Sequence, residues 1–354
     1  LKRRRFLETV ITLSYVKNVR RRFCTTADFI SLPNLKKPQR RFMNGIELSE
    51  AFYREHGVPM LKEKFPHLID KIAVGVCGGG SDSFGFDDEL SRDHDYEAGF
   101  IVFLPGEESV SRRDEFLLER AYNALPTEFM GVNRPKISPV GGNRRGVMRY
   151  ADFFVSKTGF PGGNLTTEAW LRIPENYLFE ATCGKIFFDG SGEVTAVRKK
   201  LSDMPLDARF KRLAGNLLVM DQSGQYNYAR CVKRGEGGAA QLALGEFVKA
   251  AINCAFLLEN KYCPYYKWAF RALRGLSLGK LISKPLEHLI SSGNSPAEFE
   301  EKRREIENIC AAISQKACEI TDKPPEKNLE RLAYSVNDCI SSGEVRNLDI
   351  FYSV

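Results

Sequence analysis

The spacing of apolar and polar positions changes near residue 200. From Met43, "ELSEAFYREHG" repeats its apolar residues at helical spacing and closes on Gly57, and "VPMLKEKFPHLIDK" restarts a helix with proline at its head. "IAVGVCGG" (72–79) is a short β-branched run ending in glycines, the pattern of a buried strand that emerges into a loop. "DYEAGFIVFL" (95–104) predicts a second strand, stopped by Pro105 and Gly106. "EESVSRRDEFLLERAYNAL" returns to helical spacing with acids leading. A third extended stretch follows at "RGVMRY" (145–150), before a short helical "ADFFVSKTG". "LFEATCGKIFFDGSGEVTAVRKKL" predicts a strand, a turn at Asp189-Gly190-Ser191-Gly192 and a run into the next helix. Beyond residue 200 strand signals stop. Long amphipathic segments such as "LDARFKRLAGNLLVMDQ" and "FEEKRREIENICAAISQKACEI" take over, separated by Gly, Ser and Pro loops.

The expected architecture is therefore α+β: a small mixed-sheet domain over 43–199 and an all-helical domain over 200–354. A chain of 354 residues can supply both cores. The longest apolar run, "AAINCAFLLE", is interrupted by an asparagine and reads as a buried helix, short of the roughly 20 residues a membrane span needs. The expectation is a soluble, cytoplasmic protein with no membrane partner.

Charge changes the picture at one end only. The formal charge is +7, yet residues 1–42 hold 12 basic side chains against Glu8 and Asp28, and the other 312 residues hold 40 against 43. The body is slightly acidic, so a groove that tracks polynucleotide phosphates is not expected there. The basic extension reads as a targeting peptide, as a nucleic-acid-binding arm, or as translated sequence upstream of a start at Met43. Nine cysteines occur without a CxxC pair, so no cysteine-built metal site is expected and the thiols read as reduced.

The chemistry concentrates in "VGVCGGGSDSFGFDDELSRDHDY" (74–96). A glycine-rich turn after a strand can present backbone N–H groups to phosphate. There is no GK[ST], and the spacing is not GxGxxG. Asp93 and Asp95, at i and i+2 where the second strand is expected to start, would share a face. Two adjacent carboxylates repel unless a cation lies between them, and Mg²⁺ takes one or two carboxylates plus substrate phosphates. Loop and carboxylate pair together describe a nucleoside-triphosphate site.

Gly80-Ser81, eleven residues, then Asp93-His94-Asp95 resembles the signature of the polymerase-beta-type nucleotidyltransferase superfamily. With "LFEATCGKIFFDG" and "ENKYCPYYKW" it is similar to an uncharacterised bacterial branch of that superfamily, in the manner of the small antibiotic-type enzymes, over roughly 60–290. The resemblance implies transfer of a nucleoside monophosphate from an NTP, with ATP expected, to a hydroxyl or amine of a small molecule or protein. It implies two Mg²⁺ ions on Asp93 and Asp95, with Gly79, Gly80 and Ser81 holding the terminal phosphates. Members usually add a third carboxylate from a later strand. Here the candidates are Asp152 and Glu180, and Glu180 is preferred because apolar neighbours would suit it to base work. A catalytically weak, nucleotide-binding regulatory module of the same fold is the alternative. His94 would face away from its flanking aspartates, and Asp87, Asp88 and Glu89 read as a solvated loop or helix cap. Lys267, or Lys261, could reach a triphosphate, and Tyr265 or Trp268 could stack on a base.

Overall fold

Every residue of strand β1 (Ala73–Val76) and of β2 (Ile101–Leu104) is buried, as continuous apolar runs require when a strand is covered on both faces. The computed structural model describes residues 43–93, 96–134 and 143–354, apart from the side chains of 92 and 93. The basic extension lies outside the described residues. Met43–Val354 form one compact unit.

A two-residue ribbon pairs β3 (Glu128–Phe129) with β4 (Val132–Asn133). The main sheet adds β5 (Gly146–Arg149) and β6 (Lys185–Asp189) in the order β5-β2-β1-β6. β1 is antiparallel to β2 and β6, whereas β2 and β5 run parallel. Alternate residues serve opposite cores. Val74, Val102 and Leu104 pack with Leu48, Phe52 and Leu118. Ala73, Ile101 and Phe103 join Phe153, Trp170 and the helices beyond residue 200 in a single apolar cluster. The helical C-terminal region is thus continuous with one face of the sheet, and the class is mixed α+β as expected.

The first helix, Gly45–Phe52, opens on a capping box: Asn44 accepts from the Glu47 amide (2.9 Å) and Glu47 from the Asn44 amide (3.2 Å). Gly57 does not end it. The helix passes through a π turn, Tyr53–Gly57, into Val58–Lys64. Gly57 is there for close approach, since a Cβ would fall 2.7 Å from the Phe100 ring.

The second strand is shorter than expected, starting at Ile101 rather than residue 95. Ahead of it the Tyr122 hydroxyl accepts from the Phe100 amide (3.1 Å) and donates to its carbonyl (2.8 Å), a side chain doing what a neighbouring strand would do. The segment around Glu180 is a helix, Glu175–Thr182, and only Lys185–Asp189 is strand.

Beyond β6 the described residues contain helices only, the longest being Gly237–Leu258 and Pro296–Thr321. Gly237–Leu258 is, by length and composition, apolar enough to cross a membrane, contrary to the reading of its shorter apolar run. Its second half is buried almost without interruption from Phe247 to Leu258, so it is the core helix of this unit. The eight described cysteines are all free.

Gly184 joins helix to sheet edge at φ +76°, and a Cβ there would fall 1.9 Å from the Val76 carbonyl oxygen. Gly184→Ala should therefore destabilise the full chain by about 2 kcal/mol or more. Urea unfolding measures it, and a loss below about 0.5 kcal/mol would contradict this account of the edge.

Candidate functional site

β1 delivers the chain into Cys77 and the three glycines. Gly78 and Gly80 hold φ at +89° and +115°, backbone that favours glycine. Ser81 then opens a single helical turn, Ser81–Phe84. The next residue, Asp82, has no exposed surface and is held by two guanidinium groups: Arg144, in a short ion pair, and Arg145 at 2.7 Å. Both arginines also reach the loop. Arg144 donates to the Gly79 carbonyl (3.0 Å), and Arg145 to Ser83 Oγ (3.1 Å) and the Cys77 carbonyl (3.4 Å). A buried carboxylate needs such partners, and it ties the glycine loop to the start of β5.

Above this clasp is a cavity of about 650 Å³, within the usual range for a small ligand. Gly80 and Ser81 come to its wall from the loop, Glu180 from helix Glu175–Thr182, and Tyr265, Lys267 and Trp268 from the helical region. Arg271 closes the seam, donating to the Phe86 carbonyl (2.5 Å) and to Asp88 (3.3 Å). The Trp268 ring lies 5.9 Å from Phe86, with Lys267 Nζ 5.3 Å from the indole. The wall thus combines a glycine loop, a hydroxyl, an exposed cation and an exposed aromatic.

Residues 170–269 match the model of a domain of unknown function, DUF4037. No curated protein and no solved structure matches the chain. The DUF4037 stretch takes in Glu180, Tyr265, Lys267 and Trp268 of the cavity wall and leaves the glycine loop outside.

Of the residues expected from the sequence, Gly80, Ser81, Glu180 and Lys267 meet in this cavity. Gly79 lies against Glu180, where a Cβ on it would sit 3.4 Å from the carboxylate. Glu180 differs from expectation in two ways. It is on a helix rather than a strand, and its neighbour is no apolar wall but Lys157, whose ammonium is 2.6 Å away. Asp152 is also helical and exposed. The backbone of Asp93 ends a 3-10 turn, Glu89–Asp93, rather than starting a strand. His94 and Asp95 lie outside the described residues, and with them the spacing of the aspartate pair. Lys261 lines a different cavity, with its ammonium 3.5 Å from Glu259.

Asp88 caps the turn as expected, accepting from the amides of Leu90 and Ser91. Asp87 is not a solvated acid. It is buried, accepts from the Gly45 amide (2.7 Å) through Oδ2, and leaves Oδ1 without a hydrogen bond among the described residues. Burial, with the nearby Asp82 charge adding to it, pushes its pKa up against the pull of the backbone amides. Elsewhere His288, Glu301 and Glu305 bring possible metal-ligand atoms within 4.8 Å of one another, but none of them lines the cavity.

The clasp escaped sequence reading. Asp82 and its arginines are more than 60 residues apart, and no local spacing couples "GSDSF" to "GGNRRG". Asp82→Ala takes the carboxylate from the almost wholly buried Arg145 and should cost about 3 kcal/mol in urea unfolding at neutral pH. A loss under about 1 kcal/mol would show that the loop does not need its clasp.

Asp87 gives a pH signature. With a raised folded-state pKa, its contribution to stability is full below the ordinary value of about 3.9 and is lost as pH rises through the raised one. Asp87→Asn removes that loss. The Tm difference, variant minus wild type, should become more positive from about pH 4 to about pH 7, and a flat difference would contradict it.

Proposed function

We propose that the chain is a Mg²⁺-dependent nucleotidyltransferase that moves a nucleoside monophosphate from an NTP, with ATP expected, to a hydroxyl or amine. The observation carrying this reading is the meeting of Gly80 and Ser81 with Lys267 and Trp268 in one 650 Å³ cavity. These residues come from segments almost 190 positions apart, and the resemblance of the 80–95 stretch to polymerase-beta-type enzymes gives them complementary roles.

In this reading the loop amides and the Ser81 hydroxyl hold phosphate oxygens, Lys267 adds a mobile positive charge, and Trp268 or Tyr265 stacks on the base. The acceptor oxygen or nitrogen attacks the α-phosphorus. The bond from that phosphorus to the oxygen bridging the β-phosphate breaks, pyrophosphate leaves with the electron pair, and the acceptor's proton passes to Glu180 or water. Asp93 and Asp95 would hold the metal. The cavity's oxygen donors, on Ser81, Asp88, Ser91 and Glu180, are the hard ligands Mg²⁺ accepts. When bound, the ion neutralises charge on the phosphates. Loop, lysine and aromatic do the rest: they orient the triphosphate and exclude water from it.

The Lys157–Glu180 pair favours a second reading. A carboxylate engaged by an ammonium is less available as a base, which suits a module that binds nucleotide with little turnover.

Thermal unfolding of the full chain with each NTP, with and without Mg²⁺, tests both. Binding at 100 times Kd stabilises by about 2.7 kcal/mol, and Asp93→Asn/Asp95→Asn should abolish the Mg²⁺-dependent part. No shift with any nucleotide overturns the reading. A shift without pyrophosphate release across an acceptor screen favours the binding module.

A further inference from the structure

A second cavity, of about 540 Å³, shares one residue with the first: Tyr265 lines both. Its wall is largely apolar, with Val248 and Ile252 from helix Gly237–Leu258 and Ala269 and Phe270 from helix Tyr266–Leu273. Its volume is that of a small-molecule site.

Polar groups gather on one side of this wall, and their hydrogen-bonding capacity is only partly used. Glu175 is 9% exposed, and the nearby Arg212 side chain 6%. They form an ion pair at 3.9 Å, too long for a hydrogen bond. Arg212 instead spends its donors on the carbonyls of Trp170 (2.9 Å) and Ile173 (2.5 Å). The hydrogen bond that reaches Glu175 comes from the Cys263 amide (3.2 Å). A carboxyl has room for several donors, so this one opens onto the cavity with acceptor capacity to spare. Burial pushes its pKa up, with Arg212 and the Cys263 amide opposing.

Asn253 extends the acceptor edge. Its amide nitrogen donates to Asn216 (3.1 Å), which donates in turn to the Arg212 carbonyl (2.9 Å). That leaves Asn253 Oδ1 without a donor among the described residues. The buried Ser353 hydroxyl, also in the wall, has no partner there either. The wall therefore asks for a ligand that donates hydrogen bonds at one end and is apolar over the rest.

We propose that this second cavity holds the acceptor of the transfer, a small amphipathic amine or alcohol. An anchoring donor group lies on Glu175 and Asn253 and the apolar body against Val248, Ile252 and Phe270, while the hydroxyl or amine that reacts extends past Tyr265 into the first cavity, where Glu180 lies. The assignment rests on the nucleotidyltransferase reading and adds a substrate class to it. The wall carries one carboxyl beside Arg212, with the exposed Lys249 as a second cation, and so suits neither a polycation nor a polynucleotide, which would leave charges buried and unmatched. Tyr265 is the shared wall, so occupancy of either cavity is felt in the other.

A matched series with one aryl body tests it on the full chain: phenethylamine, phenethyl alcohol and phenylacetate, followed by calorimetry and saturation-transfer NMR. The amine should bind best and the carboxylate worst. Glu175→Gln should weaken the amine roughly tenfold and leave the alcohol nearly unchanged, and Ile252→Trp should block all three without loss of nucleotide binding. ATP with Mg²⁺ should change the amine's Kd at least threefold, and Tyr265→Ala should remove that coupling. Absence of amine binding, or equal binding by wild type and both cavity variants, overturns the site. Binding with no coupling to a nucleotide that does bind overturns the acceptor assignment. Amine binding in a chain that binds no nucleotide overturns the transferase reading and leaves a separate small-molecule site.

Discussion

Asp82 carries a charge where water does not reach, and the glycine loop is held by what was needed to keep it there. Two arginines at the start of β5 supply the countercharge, and each also donates to a loop carbonyl, Arg144 to Gly79 and Arg145 to Cys77. A segment of three glycines has more conformational freedom to lose than any other. Here the loss is offset by charge-assisted hydrogen bonds, the stronger class in a low-dielectric setting. Burial raises the pKa of Asp87, and the nearby Asp82 charge adds to it, so two acids of one short stretch meet different surroundings.

The sheet makes this possible. Its central strand β1 is antiparallel to both neighbours and buried on both faces, so its C-terminal end is a rigid point of departure for the loop. One face is covered by the N-terminal helices, and the other passes without a break into the helical region. That continuity brings Lys267 and Trp268 opposite Ser81. Arg271 then bonds across the seam to Phe86 and Asp88.

The two cavities differ in chemistry. The first is lined by a glycine loop, hydroxyls, carboxylates and a lysine, and suits a highly charged, water-soluble ligand. The second is mostly apolar with spare acceptors at one edge. Tyr265, half exposed and with its ring tilted against that of Tyr266 at 4.3 Å between centroids, separates them. The DUF4037 match covers most of the second wall and the helical side of the first.

By itself the sequence determined the local elements: the buried AVGV strand, the strand KIFFD, the glycine loop, and the helices after residue 193. Apolar periodicity and glycine punctuation report backbone state directly, because each acts within a few residues. Its errors lie where a distant side chain intervened. Tyr122 replaced a strand partner at Phe100, Phe100 pressed on Gly57 so that the helix ran through it, and Lys157 met Glu180. Only the tertiary structure decided that Asp82 is clasped, that Asp87 is buried, and that Lys267 rather than Lys261 faces the loop. Charge partners are chosen by which strand ends and helix faces the topology brings together, and burial then enforces the pairing, a constraint that no spacing along the chain encodes.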